Sequence, residues 1–176
     1  MDPKTLQTPL EQVIIFTDEL ATQGGWHGEQ LKLAFAARGV SSTFASLRDC
    51  LLDFSGLKPV IRIPQCEGVP QAAFVRGIAG GSMQQVTTRL NVLHLLKRLG
   101  TFVYNDAHAI ERTVDKAMTS FLLLQAGIST PPTWVCESRQ HAHQTIRQHL
   151  KTHAQMVIKP LFGSQGQGVR LLHQKT

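Results

Sequence analysis

The sequence has few cysteines, little aromatic surface and no long apolar run, and its last thirty-nine residues contain no acidic residue at all. The longest unbroken apolar stretch is Leu33–Ala37, five residues, where a membrane-spanning helix needs about 20. Met1–Gln12 carries Asp2, Pro3, Pro9 and Glu11 where a secretory signal would be apolar, so no signal is read there. The three cysteines, Cys50, Cys66 and Cys136, are far apart and odd in number, and no C-x-x-C pair exists. That excludes a zinc cage or a disulfide framework and makes a reducing, cytoplasmic compartment the expectation. Of the eight histidines, His149 and His153 have helical spacing, and they read as solvated helix residues rather than as a metal site. Aromatic residues make up 6% with one Tyr, too few for a stacking platform on single-stranded nucleic acid.

What is present is a chain of 176 residues, 42% apolar and formally charged +6, long enough to bury a core. Its charge is uneven. Residues 1–100 hold ten basic and eight acidic groups, and residues 101–176 hold eight and four. After Asp115 there are seven Lys/Arg and a single acid, Glu137. Such a region suits an anionic partner, either nucleic acid or a small phosphate-bearing molecule, or is simply a solvated basic face. The scarcity of aromatics favours the small phosphate ligand.

Apolar segments alternate with helical patterns. Val13–Phe16 reads as a buried strand, followed by a glycine-containing loop through Gly28 and a helix over Glu29–Arg38 stopped at Gly39. Thr43–Ser46 and Ala72–Ile78 read as further strands. In Gln84–Leu99 the stripe Val86, Leu90, Leu93 and Leu96 predicts a helix, and Phe102–Tyr104 a strand after it. This is the grammar of a small parallel sheet with covering helices, an α/β fold. From about residue 105 the character changes: a helix over Asp115–Ala126 ended by Gly127, an extended stretch at Thr133–Val135 and a polar helix over Arg139–Leu150. Strands at Met156–Lys159 and Val169–Leu172 then flank a glycine-containing turn. The predicted domains are 1–104 and 105–176.

The most informative segment runs from Val157 to Val169. Its loop holds Gly163, Ser164, Gln165, Gly166 and Gly168, and Lys159 stands at the end of the strand before it. Such a loop can turn several N–H groups to one point and lets a phosphate approach without a Cβ in the way, although an ordinary hairpin turn has the same composition. It is neither a Walker A loop nor a Rossmann fingerprint. Lys116 opens a helix directly after Asp115. A cation is poorly placed at that positive helix end, so either it pairs with Asp115 or a bound anion recruits both the lysine and the helix dipole.

Taken together, Asn105, Ala109-Ile110-Glu111, Asp115-Lys116, Gln125-Ala126-Gly127-Ile128, Pro131-Pro132-Thr133, Val157-Ile158-Lys159-Pro160 and Gly163–Val169 resemble the RimK-type ATP-grasp ligases in order and spacing. Residues 13–104 resemble that family's preceding Rossmann-like domain more loosely. Phe74–Ser82 with the helix after it resembles the branch that adds glutamate to tetrahydromethanopterin. The resemblance implies a Rossmann-like pre-ATP-grasp domain followed by the first, lid part of an ATP-grasp domain. It implies that Lys116 and Lys159 contact the nucleotide phosphates or the adenine edge. Gly163, Ser164, Gln165, Gly166, Gly168 and Val169 would form the lid over the triphosphate. The implied activity is ATP-dependent ligation of a carboxylate to an amine, glutamate-type, through an acyl-phosphate. Arg76, at the end of a sheet strand, is a candidate for holding a substrate carboxylate, or else a structural arginine. No catalytic residue is assigned.

The chain also departs from the family. The implied chemistry needs Mg2+, which wants carboxylate and amide oxygens, yet no Asp or Glu follows Glu137. No metal ligand is assigned, and the ligands are expected in a C-terminal half that this sequence lacks. The chain is therefore read as the front portion of a ligase, inactive alone, with a non-catalytic nucleotide-binding or partner-binding module as the alternative. No membrane or nucleic-acid partner is expected. The strand Val169–Leu172 should present an open edge and an uncovered apolar face, through which residues 105–176 either associate with another chain, as in a homo-oligomer, or lack order.

Overall fold

A computed structural model describes residues 9–19, 22–163 and 166–173. Two compact units divide between Ala107 and His108. The first is built on β1 (Gln12–Phe16), whose residues Val13 to Phe16 are all buried. An unbroken apolar run is what a parallel strand covered on both faces requires. It pairs in parallel with β2 (Ser41–Ala45) on one side and β5 (Ala72–Val75) on the other, with Ile15 opposite both Phe44 and Phe74. β6 (Phe102–Tyr104) extends the sheet beyond β5, giving the order β2-β1-β5-β6, all parallel. Leu31 and Phe35 of α1 (Gly25–Ala36) pack on the cluster formed by Val13, Ile15, Val40 and Ala72, and the Phe35 ring meets Phe74 edge-on at 6.0 Å. α2 (Met83–Arg98) buries Leu90, Val92, Leu93 and Leu96 and packs along β6.

Local chemistry explains where these elements differ from expectation. The predicted loop through Gly28 is instead the first turn of α1, closed by the Gly28 N–H on the Gly24 carbonyl at 3.1 Å. A Cβ on Gly28 would lie 1.7 Å from the Gln23 carbonyl oxygen, so no other residue lets this turn close. β5 stops at Val75 rather than Ile78 because the N–H groups of Arg76 and Gly77 both donate to the Phe16 carbonyl, at 2.8 and 3.2 Å. α2 starts on a capping box in which Ser82 and Gln85 satisfy each other's N–H groups. An antiparallel pair absent from the sequence reading, β3 (Leu51–Asp53) with β4 (Val60–Arg62), is held at its end by Asp53, which accepts from Ser55 and Arg62.

The second unit carries α3 (Ala107–Val114), α4 (Lys116–Gln125), α5 (Arg139–His149) and an antiparallel hairpin of β7 (Gln155–Ile158) and β8 (Arg170–His173). The Asp115 carboxylate caps α4 by accepting from Ala117 N–H at 2.8 Å and Met118 N–H at 3.0 Å. Gly127, at φ +70°, ends it with N–H bonds from Gly127 and Ile128 to the carbonyls of Leu124 and Leu123. Thr133–Val135 belongs to no strand. His149 and His153, expected to be solvated, pack instead on Trp134, with the His149 ring stacked at 3.9 Å. Among the described residues of 108–173 none is buried, and Phe121, Leu124, Val157 and Leu171 are each at least half exposed. No described helix is long and apolar enough to cross a membrane.

Two outcomes follow. Gly28→Ala forces the α1 turn open and lowers unfolding free energy by about 2–4 kcal/mol, read by urea denaturation. Amides of 108–173 exchange with solvent well before those of Val13–Phe16 in native-state hydrogen exchange, because little apolar surface holds them. Equal protection in the two units would contradict this.

Candidate nucleotide site in the second unit

The two sequence-predicted lysines have different surroundings. Lys116 is the first residue of α4, and its Nζ donates to the carbonyls of Gly163 at 3.0 Å and Leu161 at 3.3 Å, while its own N–H lies 3.4 Å from the Leu161 carbonyl. Pairing with Asp115, one of the two alternatives for Lys116, does not occur, because that carboxylate is occupied as the helix cap. The cation at the positive helix end is thus offset by two main-chain carbonyls, and the contact ties the start of α4 to the start of the glycine loop. An ammonium has three N–H donors, so one remains for a ligand. Lys159, directly after β7, is exposed and has no hydrogen-bond or ion-pair partner among the described residues.

The loop between β7 and β8 folds around Pro160. A Cβ on Gly163 or Gly168 would come within 3.4 and 3.3 Å of the Pro160 ring, and Gly163, Gly166 and Gly168 all take positive φ (+148°, +73° and +75°). Side chains at these positions would be strained, so the loop keeps bare backbone there. Val169 N–H closes a turn on the Gly166 carbonyl at 3.2 Å. Ser164 and Gln165, the other expected lid residues, lie outside the described residues. Bare amides, a tethered lysine and a free lysine suit the phosphates of a nucleotide.

The acidic groups do not suit a magnesium ion. Asp115 caps α4, Glu111 faces His108 at 3.2 Å, and Glu137 is an exposed single acid. Magnesium takes octahedral oxygen ligands, and the described residues of this unit do not assemble them. In the first unit, burial, Asp49 and Cys66 push the Cys50 thiol up to about 12, so it supplies no thiolate nucleophile at neutral pH. Arg76 is exposed at the carboxyl end of β5, beside the end of β1, where open α/β sheets bind ligands.

Comparison with known proteins bears on the same segment. A family model described as the RimK-like ATP-grasp domain matches residues 113–176, the stretch that holds both lysines and the glycine loop. Residues 113–176 belong to the RimK-like ATP-grasp domain family. Over 142 residues the chain is 33% identical to a probable alpha-L-glutamate ligase of Vibrio vulnificus, covering 81% of this chain and 46% of that protein. A protein of the same description from Teredinibacter turnerae is 32% identical over the same length and coverage. This chain thus spans about half the length of the curated relatives it matches.

Among solved structures, a RimK domain ATP-grasp protein from Sphaerobacter thermophilus superposes with TM-score 0.65 at 26% identity, over 93% of this chain and 54% of that one. The ATP-grasp ligase PsnB, complexed with a minimal precursor, shares the fold at TM-score 0.62 and 20% identity, over 93% and 56%. These structural matches take in nearly the whole mixed α/β chain, parallel sheet included, and little more than half of each larger protein.

The tether makes a prediction. Lys116→Met frees the loop start and speeds amide exchange across residues 166–169 by about 3–10-fold, whereas Lys116→Arg retains part of the protection. Unchanged exchange in the methionine variant would show that the loop holds its shape without the lysine.

Proposed function

We propose that the chain supplies the nucleotide-binding front portion of an ATP-dependent carboxylate–amine ligase of glutamate-adding type. The observation that carries this is the glycine loop flanked by Lys116, bonded to its carbonyls, and Lys159, which is free. The names of the matching relatives, probable alpha-L-glutamate ligases, support the substrate class. In the proposed reaction a substrate carboxylate oxygen attacks the γ-phosphorus of ATP and ADP departs. The nitrogen of an amine then attacks the acyl carbon, phosphate leaves with the bonding pair, and the amine loses a proton as the amide forms.

Within that scheme this chain's residues bind and screen. Lys159 and the third donor of Lys116 meet phosphate charge, and amides of the bare loop add hydrogen bonds to the same oxygens. Closure of the loop keeps water from the activated carboxyl group. Arg76 holds a substrate carboxylate. The metal that such chemistry uses would offset charge on the transferring group; the acids described here do not hold it, so no step is assigned to it. Three free cysteines accord with a reducing cytoplasmic setting.

A second reading, a nucleotide-binding or partner-binding module without catalysis, draws on one observation: the described residues of the second unit assemble no set of magnesium ligands. Calorimetric titration of ATP, with and without magnesium, tests both. The expected result is binding that Lys159→Ala weakens by about tenfold or more and that needs no magnesium. No heat at millimolar ATP would remove the nucleotide site from this chain. Amide synthesis by the chain alone would remove the second reading.

A further inference from the structure

The two sides of α5 differ in character. Ala142, Thr145, Ile146 and His149 are half-buried, with the Thr145 hydroxyl 3.5 Å from the Cys136 Sγ and the His149 ring stacked on Trp134. On the opposite side every fourth residue is basic. Arg139, His143 and Arg147 are exposed, and at 3.6 residues per turn they fall within an arc of about 80°. Lys151, also exposed, continues the spacing in the turn just past the helix. Arg139 Nε donates to His143 Nε2 at 3.5 Å, so neighbouring rungs of this row adjoin. Gln140, Gln144 and Gln148, each one position further along, are exposed as well and border the row with amides.

Packing of the helix does not call for this row, which lies away from the contacts with Cys136 and Trp134. No carboxylate among the described residues pairs with Arg139, Arg147 or Lys151. From Ser138 to Thr152 there are three Lys/Arg and no acid. A helix C-terminus favours a cation, which accounts for Arg147. Arg139 stands in the first turn, where the helix end is itself positive, and gains nothing there. An anion laid along the row would offset both the repulsion among its cations and the poor placement of Arg139.

We infer that this face of α5 is a docking surface for an acidic polypeptide, a run of glutamates lying along the row. The inference rests on the ligase reading only for the identity of the acid, because a ligase that adds glutamate leaves one more carboxylate after each addition. Charge and spacing carry the rest. Cations four residues apart are separated by about 6 Å along the helix, and alternate side chains of an extended chain by about 6.6–6.8 Å. Alternate carboxylates thus meet successive rungs, and the glutamine amides are placed for the peptide groups between them. Twelve positions of rise make the row about 18 Å long, the span of five or six extended residues. A nucleic acid is a poorer match, since His143 alone in the row offers a ring for a base. A tail held on α5 would keep the acceptor at high local concentration between additions.

The test titrates capped hexaglutamate and capped diglutamate into the isotope-labelled full chain at low salt without nucleotide, following backbone amides by NMR. Amides of residues 139–151 shift saturably with hexaglutamate, which binds about tenfold or more tightly than diglutamate. Its affinity falls several-fold between about 20 and 200 mM NaCl. The double variant Arg139→Gln, Arg147→Gln removes two exposed rungs and weakens hexaglutamate about tenfold or more, whereas Arg139→Lys, Arg147→Lys retains most of the affinity. Absence of saturable shifts on α5 up to about 5 mM, or unchanged affinity in the folded glutamine variant, overturns the surface. If that variant does not fold, the shift map of the unaltered chain decides. Tighter binding of hexathymidylate than of hexaglutamate overturns the acidic-polypeptide assignment. ATP binding at Lys159 is measured separately, so its failure would sink the nucleotide reading and leave this titration standing.

Discussion

In two glycine-containing loops a cation that grasps main-chain carbonyls anchors the backbone. Lys116 holds Leu161 and Gly163, and Arg89 holds Ala79 and Gly80. Each cation stands on a helix, and each carbonyl belongs to a glycine-containing loop that has few side chains of its own to pack. The same arrangement solves two problems. It gives a poorly placed positive charge something to bond, and it gives bare backbone a fixed anchor.

Around α4 the shortage of carboxylates leaves Lys116 to bond carbonyls. The acids near the α4 start are occupied locally: Asp115 as a helix cap, and Glu111 with His108. A cation with no acid partner turns to carbonyls, which offset its charge only in part and leave donors for an incoming anion. The two units differ in how firmly they frame such a site. β1 is sealed between two parallel neighbours, whereas the described residues of the second unit are nowhere buried. The fold match covers about half of each larger relative.

Much of this was legible from sequence. The β1 run, the α2 stripe, the Asp115 start and the Gly127 stop of α4 all obey local rules of burial and capping. The resemblance to RimK-type ligases, carried by Asn105–Val169, overlaps most of the stretch that the family model matches. What was missed lacked a local signal. The β3–β4 pair has three-residue strands without alternation, and its order comes from the Asp53–Ser55–Arg62 contacts. The α1 start was masked because Gly28 reads as a loop residue, although its missing Cβ is what lets the helix close. Trp134, remote in sequence from His149 and His153, turned two expected solvent-facing histidines into packed ones.

By itself, the sequence determined the α/β class, the glycine loop with its lysines and the poverty of acid after Glu137, because each depends on residue type and short-range spacing. The tertiary structure alone decided which lysine is spent and which is free. It alone showed that Asp115 serves the helix rather than Lys116, and that Arg89 is buried without a counter-charge. Those outcomes depend on where carbonyls more than forty residues away, or across a turn, come to lie. Spacing along the chain holds no record of that competition for partners, which only the folded backbone resolves.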